Sequence, residues 1–352
     1  MPETRPILPL AKAQAPFYVG IDLGGTNVKY GLVDDLGRTL AYHTIRTLVP
    51  KGPEDGARRI GEGVRKIIRM AGLRPADVAR VGLASPGTMD IPGGKLVVPA
   101  NFPGWDYFPI RDRVAEHAKL PVTFANDATA AAYGEFWIGS GKDFHSLVLL
   151  TLGTGIGCGI IIGDLLVDGE HSHGGEFGHT IIDSDDDARI CGCGRRGHLE
   201  AYASATAVIR RTRDWLEVRR KTSLSERIAD GEELTPLMIA EEAEKGDELS
   251  NEIIFQTAKY LGIGITNLMH TIDPAGILLG GAMTFGGAKS PLGRRFLDRI
   301  RKEVKLRAYA VPAENTTLDF ATLGGDAGYL GSAGIARAEY LKLGDKKASS
   351  TA

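Results

Sequence analysis

The stretch Phe17-Tyr18-Val19-Gly20-Ile21-Asp22-Leu23-Gly24-Gly25-Thr26-Asn27-Val28-Lys29-Tyr30-Gly31-Leu32-Val33 decides the fold. Phe17 to Asp22 reads as a buried strand, the glycine pair as a turn, and Val28 to Val33 as the returning strand. The product is a β-hairpin with a glycine-rich tip. Such a tip lets backbone N–H groups approach phosphate oxygens, and Thr26 adds a hydroxyl donor. Asp22, at the strand end, is placed to hold the waters around a magnesium ion. A tight hairpin that needs glycine for its turn alone reads the same way locally, so the assignment depends on the rest of the chain.

Working outward, a third strand is expected around Thr39 to Thr44, then an amphipathic helix from about Glu54 to Met70 and an apolar strand, Val81-Gly82-Leu83-Ala84, ending at Ser85-Pro86-Gly87. A helix near Arg111 to Ala118 leads into Pro121-Val122-Thr123-Phe124-Ala125, which ends on Asn126-Asp127 before an alanine-rich helix. This is the βββαβα order of the actin-like nucleotide-binding lobe. The pattern then repeats: Leu147 to Leu152 ends in Gly153-Thr154-Gly155, Gly159 to Ile162 returns, and a helix from about Leu249 to Thr271 precedes the strand Gly276 to Leu279. Gly280-Gly281 after that strand suits close approach of an adenine and ribose, or is a plain strand-to-helix turn. Two phosphate-type hairpins imply two related lobes. The helix Ala327 to Leu341 is expected to pack back on the first lobe, and Met1 to Pro16 and Gly344 to Ala352 read as loose polar tails.

At 352 residues with 43% hydrophobic content, the chain suits two packed lobes, placed at 1–138 with 325–345 and at 139–324. A formal net charge of -2 gives no broad basic field, which argues against a nucleic-acid partner. No apolar run reaches the about 20 residues that span a bilayer, so the expected compartment is the cytoplasm. The 3 cysteines are a poor disulfide framework and a good metal or thiol pattern.

Asp127 is the candidate general base, because phosphoryl transfer to an alcohol needs a carboxylate to orient and deprotonate the hydroxyl. The competing local reading is a helix N-cap, which also favours aspartate. Cys191 and Cys193 lie in a glycine-rich turn with His198 just beyond and His179 upstream, a donor set for zinc. His171 and His173 are close enough in sequence to leave the ligand set open. The aspartates from Asp183 to Asp187 read as a solvated loop.

Taken together these residues resemble the ROK family of repressors, open reading frames and kinases, from about Phe17 to Ala338. The resemblance is carried by Asp22 to Thr26, Pro86-Gly87, Asn101-Phe102-Pro103-Gly104-Trp105, Asn126-Asp127, Glu176-x-x-His179, and the Cys-x-Cys-Gly-x-x-Gly-x-x-Glu run from Cys191 to Glu200. It implies a two-lobed α/β fold of the actin and hexokinase type, with ribonuclease H-like lobes and the active site in the cleft between them. It implies Asp127 as base, with Gly87, Asn101, Asn126, Glu176, His179 and Glu200 around the sugar. Asp22, Gly24, Gly25, Thr26, Asn27, Gly153, Thr154, Gly155, Gly280 and Gly281 are implied as nucleotide-binding residues, and His179, Cys191, Cys193 and His198 as ligands of zinc. The family usually has a third cysteine where this chain has His198, so the site would carry one negative charge fewer.

The expected activity is ATP-dependent, magnesium-assisted phosphorylation of a hexose at its 6-hydroxyl, glucose first. The alternatives are N-acetylglucosamine, N-acetylmannosamine, mannose or fructose as substrate, and polyphosphate as donor. A sugar sensor or repressor is disfavoured because Met1 to Pro16 is too short for a DNA-binding domain, and a polymerising actin-like ATPase would not need the zinc turn. The resemblance also implies a homodimer or a higher homo-oligomer.

Overall fold

Runs of β-branched and aliphatic residues broken by glycine become the central strands of two five-stranded sheets with the same strand pattern. The computed structural model describes residues 5–163 and 165–349, and these form two units. Unit 1 comprises Met1–Asp143, Gly159–Gly174 and Thr322–Ala352; unit 2 comprises Phe144–Cys158 and Gly175–Ala321.

In unit 1 the strands β1 (Phe17–Leu23), β2 (Asn27–Val33), β3 (Thr39–Arg46), β4 (Val78–Ser85) and β5 (Val122–Asn126) lie in the order β3-β2-β1-β4-β5. The first three form an antiparallel meander, while β4 and β5 run parallel to β1. This is the ribonuclease H-like order. The crossovers to β4 and β5 are made by helices α1 (Pro53–Met70) and α2 (Ile110–Ala118), which pack together. They bury Ile60, Val64, Ile67 and Val114 with Trp105 and Phe102 against the sheet. Helix α3 (Asp127–Trp137) follows β5 directly.

The second sheet repeats the order as β8-β7-β6-β9-β10, with β6 (Ser146–Leu152), β7 (Ile156–Ile162), β8 (Leu165–Leu166), β9 (Gly276–Gly280) and β10 (Thr317–Phe320). In unit 2, helices α4 (Ala205–Glu217), α5 (Glu248–Ile272) and α6 (Pro291–Arg307) pack on one another through α5. Among the described residues no helix is long and apolar enough to cross a membrane.

The helix α7 (Ala327–Ser349) lies across β1 and β4 and against α3. The approach is possible only over glycine: a Cβ at Gly20 would sit 1.8 Å from the Tyr329 carbonyl oxygen, and one at Gly82 1.8 Å from that of Ser332. Gly344 does not end this helix, so the polar tail expected from Gly344 is helical through Ser349, and its remainder, 350–352, lies outside the described residues. The loose N-terminal tail is also corrected over its described part. Arg5 pairs with Asp326 through Nε at 2.6 Å and stacks 3.5 Å from the centre of the Tyr42 ring. The Leu8 N–H donates to the Thr39 carbonyl at 2.8 Å, and that of Gln14 to Asp34 at 3.1 Å. These partners are distant in sequence, and nothing local announces them.

Glu135 on α3 is fully buried and its carboxylate collects donors from two chain segments. The Ser140 N–H and hydroxyl each donate at 2.9 Å, and the N–H groups of Thr322 and Leu323 at 2.8 and 2.6 Å. Glu135→Ala should lower the unfolding free energy by about 3–5 kcal/mol, since it strands several buried donors at about 1–3 kcal/mol each before local relaxation and opens a cavity. The urea midpoint measures this; a loss below about 1 kcal/mol would show that the carboxylate is not what ties these segments.

Candidate active site

In unit 1 the glycine tip is held from behind. The Gly24 N–H donates to the Asn27 carbonyl at 2.9 Å, the Thr47 N–H to the Thr26 carbonyl at 2.9 Å, and the Thr47 hydroxyl to the Gly24 carbonyl. Carbonyls are thereby turned inward, while the N–H groups of Gly25 and Thr26 have no protein acceptor among the described residues. That is the polarity a phosphate loop requires. Gly25 lies close to Asn101, 3.7 Å from where its Cβ would be. Gly87, at φ +95, packs on Pro99, so the Pro86-Gly87 turn and the Asn101 segment are neighbours. Lys29 was not singled out in the sequence: its ammonium lies 3.2 Å from Asp22 and donates to the Gly325 carbonyl at 3.0 Å. A lysine seven residues after an aspartate across a hairpin is the only signal that would have found it.

At the end of β5 the two readings of Asp127 separate. Asn126 is the cap: its Oδ1 accepts the N–H groups of Ala128 at 2.8 Å and Thr129 at 3.3 Å. Asp127 is the first residue of α3, with its Oδ1 accepting the Ala128 N–H at 2.8 Å.

In unit 2 the tip between β6 and β7 is fastened to the start of α4. The Ala205 N–H donates to the Gly153 carbonyl and the Thr206 hydroxyl to the Thr154 carbonyl, both at 2.9 Å. The Gly280-Gly281 turn abuts the end of β6, where the Met283 N–H donates to the Leu152 carbonyl at 2.9 Å. These two candidate nucleotide segments are therefore adjacent.

The cysteine turn is closed by the Cys191 N–H to the Arg195 carbonyl at 2.8 Å and the Gly194 N–H to the Cys191 carbonyl at 2.9 Å. The segment beyond it pairs with the one after Glu176: Ile181 bridges to His198, and the Leu199 N–H donates to the Thr180 carbonyl at 2.9 Å. This pairing sets His179 against His198, and the ligand atoms of His179, Cys191, Cys193 and His198 all lie within 4.8 Å of one another. His171 and His173 are not in the cluster; the His173 Nδ1 faces the His171 carbonyl at 2.5 Å.

The spacing fits zinc. Bonds of about 2.0–2.3 Å meeting at tetrahedral angles place neighbouring ligand atoms about 3.3–3.8 Å apart. Here His179 Nδ1 to His198 Nδ1 is 3.2 Å, Cys191 Sγ to His179 Nδ1 is 3.7 Å, and Cys193 Sγ to His198 Nδ1 is 3.3 Å. Burial, then the neighbouring His179, lowers the His198 pKa and keeps its ring neutral, the form that binds metal. Burial pushes the Cys191 thiol up to about 12, a value that an adjacent cation would reverse. With Nδ1 turned to the cluster, His179 points Nε2 toward Glu176, 3.8 Å away.

Glu200 joins this cluster to the glycine tip. Its Oε1 accepts the Cys191 thiol at 3.5 Å and its Oε2 the Ile156 N–H at 3.0 Å. A Cβ at Gly155 would stand 2.4 Å from Oε2, so a side chain there would have to shift the Glu200 carboxylate from this position.

The profile of the ROK family matches residues 18–339. A glucokinase of Halalkalibacterium halodurans is 32% identical over 323 residues, covering 90% of this chain and 93% of its own length. A xylose repressor of Caldicellulosiruptor bescii is 27% identical over 342 residues, covering 96% and 82%. Among solved structures, a ROK family glucokinase from Streptomyces griseus in complex with glucose and AMPPNP superposes with a TM-score of 0.73 at 31% identity, covering 92% of this chain and 99% of that one.

Proposed function

This chain belongs to the ROK family, and we propose that it is an ATP-dependent sugar kinase that phosphorylates a hexose at its 6-hydroxyl, glucose in preference to other sugars. The observation that carries this reading is the division of labour at the start of α3. Asn126 meets the helix's need for a cap, so the carboxylate of Asp127 is not explained as the cap and stands at a strand end where a base belongs.

In this reading Asp127 accepts the proton of the sugar 6-hydroxyl, and Gly87, Asn101 and Asn126 of unit 1 orient the ring. Glu176, His179 and Glu200 of unit 2 hold its other hydroxyls with matched donors and acceptors. Asp22, Gly24, Gly25, Thr26 and Asn27 of unit 1, with Gly153, Thr154, Gly155, Gly280 and Gly281 of unit 2, would hold the nucleotide and its magnesium, which when bound supply the phosphoryl group and the charge that offsets it. His179, Cys191, Cys193 and His198 would hold zinc, whose bound charge fixes the tautomer and aim of His179. Cytoplasm is the compartment this use of ATP requires, and a homodimer or higher homo-oligomer is proposed on the family resemblance alone.

Support for glucose comes from the glucokinase relative and from the bound sugar in the Streptomyces griseus structure. A coupled assay across hexoses and phosphate donors tests the reading: ATP consumption should depend on sugar, with product phosphorylated on the 6-oxygen. Binding of sugar without consumption of ATP or polyphosphate would sink the kinase and leave a sensor. For substrate choice, kcat/KM for glucose should exceed that for N-acetylglucosamine by about 5–150-fold, from one buried polar group left unpaired by the acetamido sugar at about 1–3 kcal/mol. The reverse order would keep the kinase and remove glucose.

A further inference from the structure

Helix α1 carries a second cluster of charge that none of the roles above uses. In its last two turns Arg65, Lys66 and Arg69 line a cavity of about 540 Å³ that His43 of β3 also lines. The three cations share the cavity wall with Gly63 of the preceding turn and with Arg59.

Their lack of partners distinguishes them from the other arginines of α1. Arg58 is held by Asp55 at 2.6 Å and by Glu62 at 2.8 Å, which occupies the one acid lining the cavity among the described residues. Arg59 pairs with Asp55 at 2.8 Å and donates to the Arg46 carbonyl at 2.6 Å. Arg65, Lys66 and Arg69 have no acid or carbonyl partner among the described residues. Arg65 and Arg69 are moreover four residues apart, a spacing at which like charges repel.

Beneath the cations lie two polar groups that are also unmatched. The fully buried Tyr30 ring lies against Gly63, where a Cβ would be 2.6 Å from its hydroxyl, and stacks on His43 with ring centroids 6.0 Å apart. Neither the Tyr30 hydroxyl nor the His43 Nε2 has a hydrogen-bond partner among the described residues. Unpartnered buried polar atoms are rare in folded proteins, and two in stacked rings are rarer. Burial holds the phenol's pKa up, and burial with Lys66 holds the imidazole's down, so both rings stay neutral.

The geometry points to a binding site for a phosphate-bearing small molecule between α1 and β3, held by Arg65, Lys66 and Arg69. Guanidinium forks take phosphate oxygens in pairs. The cavity falls within the about 300–1,000 Å³ of small-molecule sites and is larger than one inorganic phosphate fills, so the ligand carries an organic group or a second phosphate. A net charge of -2 gives no broad basic field to draw in a nucleic-acid strand.

The test follows His43 by NMR in the full chain, with its ring signals assigned through His43→Gln, during separate titrations with a hexose 6-phosphate and with inorganic pyrophosphate. At least one of the two should move the His43 signals saturably. The midpoint should rise at least tenfold in the Arg65→Gln/Arg69→Gln double variant and by a smaller factor in Lys66→Gln, with the urea midpoint of each unchanged. The probe that saturates at the lower concentration shows whether a sugar phosphate or a condensed phosphate is the source. Absence of any shift with both probes, or an unaltered midpoint in the double variant, would overturn the site. Tighter capture of single-stranded RNA or of phosphatidylserine vesicles by these same residues would overturn its assignment to a small molecule.

Discussion

Asp127→Asn should turn over sugar about 10²–10⁴ times more slowly than the wild type, with KM for the sugar nearly unchanged. The substitution keeps size and an acceptor for the Ala128 N–H that Asp127 accepts at 2.8 Å, and it leaves the Asn126 cap intact. Unfolding by urea should therefore match wild type, which separates a missing base from a damaged helix. A variant with near-normal kcat would remove Asp127 from the chemistry, whereas loss of kcat together with stability would indicate a structural role.

The second large effect concerns the cluster of His179, Cys191, Cys193 and His198. The purified chain should contain close to one zinc, and Cys193→Ala should lower zinc affinity by more than the about 10–100-fold that outer-shell changes produce. Metal content by mass spectrometry and a zinc-dependent shift in thermal midpoint read this without recourse to turnover. Sugar affinity should fall in the same variant, because His179 and Glu200 are both oriented through the cysteine turn. His198→Cys should keep the metal, since a thiolate there restores a charge that imidazole lacks. Zinc-free protein with full sugar affinity would refute the assignment.

The glycine tips, the strand order and the Asn126-Asp127 junction were legible because each depends on residues adjacent in sequence: a positive or crowded backbone calls for glycine, and a helix start calls for a capping side chain. Most expected element ends agree with the observed ones to within a few residues, as at Glu54 to Met70 against Pro53–Met70, whereas α7, expected to end at Leu341, continues to Ser349. What stayed hidden depends on distant partners. Arg5 is ordered by Asp326, Glu135 by Thr322 and Leu323, and Lys29 is placed by Asp22 across a hairpin. The helical stretch from Ala205 to Glu244 also escaped notice, being broken into pieces whose starts are marked by Ser204 and Thr235 caps rather than by a long apolar period. Within the cysteine turn, spacing alone could not choose His198 over His171 or His173; the pairing of Ile181 with His198 makes that choice.

The placement of α7 also bears on how the protein is made. Tyr329 and Ser332 press on Gly20 and Gly82, yet they are translated only after every residue of unit 2. At about 5–20 residues per second, roughly 10–50 s separate the appearance of β4 from that of its covering helix. During that interval the nascent first sheet shows a glycine-lined apolar face to solvent, while the contiguous run from Gly175 to Ala321 is being added. Emergence of α7, rather than of the first strands, is then the event that completes the lobe bearing Asp127.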